Sequence, residues 1–161
     1  MSNKLKQISQ SCHHFNHFVF SAAGIGLAAW IWSIKISLLA AAGLALIGAF
    51  LPDLDHLIFI FGYGRRTNYA SRLRKFLLDL QFKQLTEFAA SNHKLNYGIY
   101  SHNIAVPLAL LVVFALVKST HPKLSLLCIS LAGHFVYDML EDLLFLGKLN
   151  PNWWFKFSLP E

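Results

Sequence analysis

Long apolar runs alternate with short polar junctions along most of this chain. Four runs are apolar enough to form bilayer-crossing helices, roughly 18–34, 36–51, 99–117 and 124–146. A span usually takes ~20 residues, so the first two are short. Lys35 between them can snorkel, and His17 and Pro52 extend those helices toward the interface. The stretch between the second and third runs, 62–98, has a different rhythm. In SRLRKFLLDLQFKQLTEFAA, the apolar Leu73, Phe76, Leu77, Leu80 and Phe88 recur at helical spacing, with Arg72, Lys75 and Lys83 elsewhere on the wheel. That pattern predicts a basic amphipathic helix, lying on a membrane surface or packed on the end of the bundle. The expected fold is therefore all-α: one domain over 1–161, a polytopic bundle of about four transmembrane helices with an amphipathic cytoplasmic interfacial helix.

Composition agrees with that pattern. Hydrophobic residues make up 55% of the 161 residues and charged ones 14%, against about 25% charged in an ordinary soluble domain. A cleaved signal peptide fits poorly, because the leader before the first run is long and polar. The formal net charge is +6, but the basic residues adjoin apolar runs, so anionic lipid headgroups are the expected partner and nucleic acid is not. With four spans, the N-terminal tail (Lys4, Lys6), the long loop (Arg65, Arg66, Arg72, Arg74, Lys75, Lys83, Lys94) and the C-terminal tail (Lys148, Lys156) share one side. They hold all the lysines and arginines except Lys35, Lys118 and Lys123. The positive-inside bias then puts both termini in the cytoplasm. Cys12 and Cys128 are far apart and imply no disulfide framework. Trp153 and Trp154 read as interfacial anchors, His93 and His121 as loop residues, and Gly24, Gly26, Gly43 and Gly48 as points of close helix packing.

The ionisable residues change the picture most. His13, His14 and His17 precede or open the first run, and Asp53, Asp55 and His56 follow the second in GAFLPDLDHLIF. His102 sits about one turn inside the third. At ~1.5 Å per residue, His134 and Asp138 lie deep in the fourth, followed by Glu141 and Asp142. Four separate segments thus bring acids and histidines to the same, cytoplasmic half of the bundle. His134 and Asp138 are four residues apart and share a helix face. A charged side chain within a span costs at least ~2.5–3.5 kcal/mol on insertion scales, so Asp138 needs a compensating partner. A hydrogen-bonded His–Asp pair would serve, and so would a shared divalent cation, which also accounts for the neighbouring groups. Mixed His/Asp ligation suits zinc, and also manganese or iron. Pro52 weakens helix continuation and leaves a bend from which Asp53 and Asp55 can turn inward. The other reading of that junction is a surface turn.

In order, HHFNHFVFSAAG, GAFLPDLDH, GIYSHN, GHFVYDMLED and GKLNPNWWF resemble the small bacterial membrane-bound metal-dependent hydrolases of the YdjM type, over roughly His14 to Trp154. The resemblance implies metal ligands at His17 (or His14), Asp53, Asp55, His56, His102, His134 and Asp138, and a multi-pass protein of the bacterial inner membrane. The His-x-x-x-Asp element is also similar to one in the zinc-dependent phospholipase C and P1-nuclease group, which implies a phosphoester substrate. Where the family's third motif reads Arg-Gly-x-Thr-His-Ser, this chain has Ser101 and Asn103 about the histidine and lacks the arginine, a place Arg65 or Arg66 would have to fill. The expected activity is hydrolysis of a phosphoester or other ester of a lipid-like substrate by metal-activated water, with Asp53, His102, His134 and Asp138 as the cage. His17 or Asp55 would complete it or bind a second ion, and Asp55 or Glu141 would take the proton. The alternative is a transport protein that passes ions or protons along the same His/Asp cluster.

Overall fold

The computed structural model describes residues 12–92 and 99–154. His93 and several cations counted above (Lys4, Lys6, Lys94 and Lys156) lie outside the described residues. The first apolar run forms α1 (His13–Ile31) and the second α2 (Leu38–Phe50), which Ser37 opens by accepting the Ala40 amide on its side chain. A turn at Leu51–Asp53 joins α2 to α3 (Leu54–Phe61). The long loop folds as α4 (Asn68–Leu78) and α5 (Phe82–Asn92), followed by α6 (Ala105–Val117) and α7 (Pro122–Leu146). A single 3-10 turn, Pro151–Trp153, closes the described chain. No strand occurs among the described residues.

The centre of the bundle is α7, which packs against α1, α2 and α6, while α1 also packs on α2. Ile25, Ala28, Ala45, Phe114, Leu126 and Cys128 form the apolar core at the end away from the acids and histidines. Two glycines let the helices meet closely. A Cβ on Gly48 would lie 2.0 Å from Ser130 Oγ, and one on Gly133 would lie 2.9 Å from the Phe20 carbonyl oxygen. Buried hydroxyls at these crossings are satisfied between helices: Ser21 donates to the Ser130 carbonyl and Ser130 to that of Leu44. A Cβ on Gly24 would also be tight, 3.1 Å from Ile129 Cγ2, whereas one on Gly26 or Gly43 would meet nothing within 4 Å.

Read together, α2 and α3 (Leu38–Phe61, 24 residues) and α7 (25 residues) are long and apolar enough to cross a membrane. Much of the apolar surface faces outward, with Leu38 88% and Trp30 79% exposed.

Three expectations meet a different structure. The basic amphipathic segment is two helices rather than one, broken at Asp79–Gln81 where Leu80 takes a left-handed φ of 55°. Phe88 of α5 then folds back against Phe76 and Tyr69 of α4, with the Arg72 guanidinium over its ring. The third apolar helix starts at Ala105 rather than 99. The segment before it is tied down by other partners, through Ser101 N–H to Asp55, Asn152 to the Ile99 carbonyl, and Ile104 N–H to that of Trp153. Finally, Trp154 is exposed as an anchor would be, but Trp153 is only 2% exposed. Its indole N–H donates to Asp142 Oδ2 at 2.7 Å, which gives that buried carboxylate a partner and draws the ring inward.

Candidate metal centre

The polar groups converge where α1, α7, the α2–α3 junction and the 99–104 segment meet. Asp138 is at the middle. Its Oδ2 lies 3.1 Å from His102 Nε2 and 3.3 Å from His134 Nε2, and its Oδ1 lies 3.6 Å from His17 Nε2. Asp53 Oδ1 lies 3.6 Å from the same His134 nitrogen. The His17 and His134 rings are fully buried and stacked, with centroids 3.8 Å apart. Five expected ligands, His17, Asp53, His102, His134 and Asp138, therefore come together. His56 flanks them with Nδ1 3.8 Å from Asp53 Oδ1 and its ring edge-on to His102.

The outer nitrogens of two of these histidines are engaged, which orients their rings. His134 Nδ1 lies 3.1 Å from the Ala49 carbonyl, which can only accept, so that nitrogen carries a proton, and Nε2 faces Asp53 and Asp138, where it can offer a lone pair to a cation or, in the imidazolium form, a proton to the carboxylates. His102 Nδ1 meets Ser101 Oγ at 2.9 Å. Metal-ligating histidines characteristically engage their other nitrogen in this way, which fixes tautomer and ring direction. Among the described residues, buried His134 Nε2 and Asp53 Oδ2 find no hydrogen bond of acceptable geometry. Two carboxylates converging on this buried nitrogen call for positive charge between them, which a bound cation or the protonated imidazole supplies.

Asp55 does not join the cluster. Its Oδ1 accepts from the Tyr63 hydroxyl at 2.9 Å and its Oδ2 from the Ser101 amide at 2.8 Å. Burial raises the Tyr63 phenol above its usual pKa, so it remains a donor. Tyr63 also accepts the Tyr100 amide and stacks on the Tyr100 ring. Asp55 thus braces the segment that carries His102. Glu141 is buried beside α1, 3.3 Å from His13 Nδ1 and from the Tyr137 hydroxyl. Asp142 accepts from Trp153 and the Asn150 amide, and so ties the end of α7 to the chain that follows. Arg65 and Arg66 are exposed and line neither cavity of the site.

His13, which is not among the ligands the resemblance implies, also reaches the cluster. Its Nε2 lies 3.2 Å from His17 Nε2. The signal was its i, i+4 spacing to His17, the same rule that pairs His134 with Asp138. His14 is mostly exposed, with its ring on Phe50 and Nδ1 3.9 Å from Asp53 Oδ2.

Two cavities meet at this point. One is a polar chamber of about 40 Å³, bordered by Asp53, His56, His102, Asp138 and Trp153. That is room for an ion with a water or two. The other is a groove of about 580 Å³ walled by Leu57 and Phe61 of α3, Leu73 and Leu77 of α4, and Leu85 of α5. His13, Asp53 and His56 border both. Donor atoms of Asp53, His102 and His134, and separately those of His13, His17 and Asp138, lie within 4.8 Å of one another, so these His/Asp groups could hold a metal ion.

No protein-family model matches the chain, and no curated protein or solved structure matches it either.

Proposed function

We propose that the protein is a membrane-embedded, metal-dependent hydrolase acting on a phosphoester or other ester of a lipid-like molecule at the cytoplasmic face of the bacterial inner membrane. The observation that carries this reading is the spacing of donor atoms around Asp138. Two ligands ~2.05 Å from a tetrahedral ion lie ~3.3 Å apart. The separations His102–Asp138, His134–Asp138 and His134–Asp53 are 3.1, 3.3 and 3.6 Å. Nδ1 partners on both histidines, the two carboxylates facing His134 Nε2 and the chamber bordered by Asp53, His102 and Asp138 all fit a divalent ion held by Asp53, His102, His134 and Asp138. Two histidines and two carboxylates suit zinc, with manganese or iron as the other candidates.

Such an ion supplies Lewis acidity and acidifies water at neutral pH. The chain does the rest. The apolar groove takes the hydrophobic part of the substrate and leaves its polar end at Asp53 and His56. Exposed Lys75 and Arg72 on α4 favour an anionic surface or headgroup. His56 borders the chamber beside Asp53 and is placed to take a proton there. The outward apolar surface of the helices supports a bilayer location, and the charge asymmetry of the sequence supports both termini in the cytoplasm.

Elemental mass spectrometry of detergent-purified protein tests the reading, with Asp138→Asn and His134→Ala beside the wild type and circular dichroism to check folding. The expected result is at least one divalent ion per chain, lost in both variants, with hydrolysis of phosphoester or ester lipid probes dependent on it. Wild-type protein that stays metal-free after zinc and manganese are supplied overturns the proposal and leaves the cluster as an ion or proton path, to be followed in proteoliposomes.

A further inference from the structure

We infer that the cluster is built for two cations rather than one, with Asp138 bridging them and His13 and His17 holding the second. This inference rests on the metal-centre reading above and extends it. The two oxygens of Asp138 face different sets of nitrogens: Oδ2 faces His102 and His134, whereas Oδ1 faces His17. A carboxylate divided in this way is the usual bridge in two-ion hydrolytic sites, whose ions lie ~3.5–4 Å apart.

The His13 side carries its own evidence. His13 Nε2 and His17 Nε2 point at each other across 3.2 Å, and His17 Nε2 is also 3.6 Å from Asp138 Oδ1. One proton on His17 Nε2 could serve one of those neighbours but not both. A cation among the three serves all of them, and 3.2 Å matches the ~3.3 Å edge of a tetrahedral ligand set. Glu141 completes the pattern. It lies 3.3 Å from His13 Nδ1, the nitrogen turned away from His17, so that nitrogen donates to the carboxylate and Nε2 is left facing the cluster. This carboxylate–histidine arrangement recurs behind metal-binding imidazoles. Glu141 is thus a positioning residue for the second ion, and the i, i+4 pair on α1 answers the i, i+4 pair on α7. The other candidate second site, His13 with His14 and Asp53, depends on a mostly exposed His14 held 3.9 Å from its partner.

The test is metal stoichiometry and manganese electron paramagnetic resonance on the full chain in detergent, stripped with chelator and titrated with Mn(II) or Zn(II). Wild type is expected to take two ions and, with manganese, to give the spectrum of a spin-coupled pair. His13→Gln is expected to take one ion and lose the coupling, and His14→Gln to behave as wild type. Glu141→Gln should weaken the second binding step ~10–100-fold and leave the first unchanged. His17 is fully buried, so the partly exposed His13 is the variant to rely on, with circular dichroism confirming its fold. A wild type that saturates at one ion overturns this inference and leaves the hydrolase reading standing. Two ions retained in His13→Gln overturns the assignment to His13 and His17. No ion at all overturns both.

Discussion

Replacing Gly48 by alanine tests whether helix packing sets the spacing of the metal centre. The added methyl would lie 2.0 Å from Ser130 Oγ and 2.9 Å from the Ser130 carbonyl carbon. Carbon atoms pack at ~3.5–4.0 Å, so against the backbone contact alone the helices must separate by ~0.5 Å or more. The hydroxyl cannot swing away without loss, because it donates to the Leu44 carbonyl at 2.8 Å. Overpacking of this kind costs ~1–3 kcal/mol. For a chain of this size that lowers Tm by ~2–12 °C.

The consequence for the ion follows from position. The carbonyl of Ala49, next in the chain, accepts from His134 Nδ1 at an N···O distance of 3.1 Å, and Asp53 lies just beyond the end of α2, 3.6 Å from His134 Nε2. Metal–ligand distances tolerate only ~0.2 Å. Stability and ion affinity should therefore fall together in Gly48→Ala. Gly43→Ala is the matched control on the same helix, since nothing lies within 4 Å of its added carbon. It should be neutral or gain up to ~1 kcal/mol from helix propensity. Thermal unfolding in detergent and competition with a chromogenic chelator read both quantities. A Gly48→Ala protein with wild-type Tm and wild-type affinity would refute the argument.

Ser101→Ala removes the partner of His102 Nδ1 and should weaken ion binding ~10–100-fold by chelator competition, with Tm barely changed; unaltered affinity would mean the hydroxyl does not orient the ring. Trp153→Phe deletes the buried indole donor to Asp142 and should cost ~1.5–3 kcal/mol in thermal unfolding, as lost bonds to charged groups do. A wild-type melt would show that another donor replaces it. Asp53→Asn should abolish stoichiometric ion binding, whereas Asp55→Asn should keep the ion and lose ~1–2 kcal/mol of stability, because one amide cannot accept from both Tyr63 and Ser101. Equal metal loss in the two variants would contradict the division of labour between them.

Much of the bundle was legible because apolar length alone marks a helix of this kind. The runs ending near Phe50, Val117 and Leu146 end there in the structure too. Legibility failed where local partners outweigh periodicity. Nothing in the residue type of Leu80 announces its left-handed φ, so an unbroken amphipathic pattern concealed the break between α4 and α5. The start of α6 was overrun because Ile99 and Tyr100 count as apolar. Yet Ser-His-Asn carried the right signal, since Asn103 Oδ1 accepts the Ala105 amide at 2.8 Å in a helix-opening turn. Composition misled at both ends of the site. His13 precedes the first apolar run and lies outside the ligand set the resemblance implies, and Trp153 read as a membrane anchor, although one faces His17 and the other satisfies a buried carboxylate.

The pair Asp53 and Asp55 shows how much depends on a few backbone angles. In an extended junction, residues two apart point to the same side, and both carboxylates would enter the cluster. Here Asp53 already has helical dihedrals, φ −69° and ψ −15°, and leads directly into α3. Residues two apart on a helix face away from each other, whereas those three apart are neighbours. Asp53 and His56 therefore share one side, 3.8 Å apart, and Asp55 is turned to the other, where Tyr63 and Ser101 claim it. Asp55 still acts on the site at one remove. It fixes the Ser101 amide, the next peptide carries His102, and His102 Nε2 lies 3.1 Å from Asp138 Oδ2. One acid faces the cluster, while the other holds the segment that brings His102 to it.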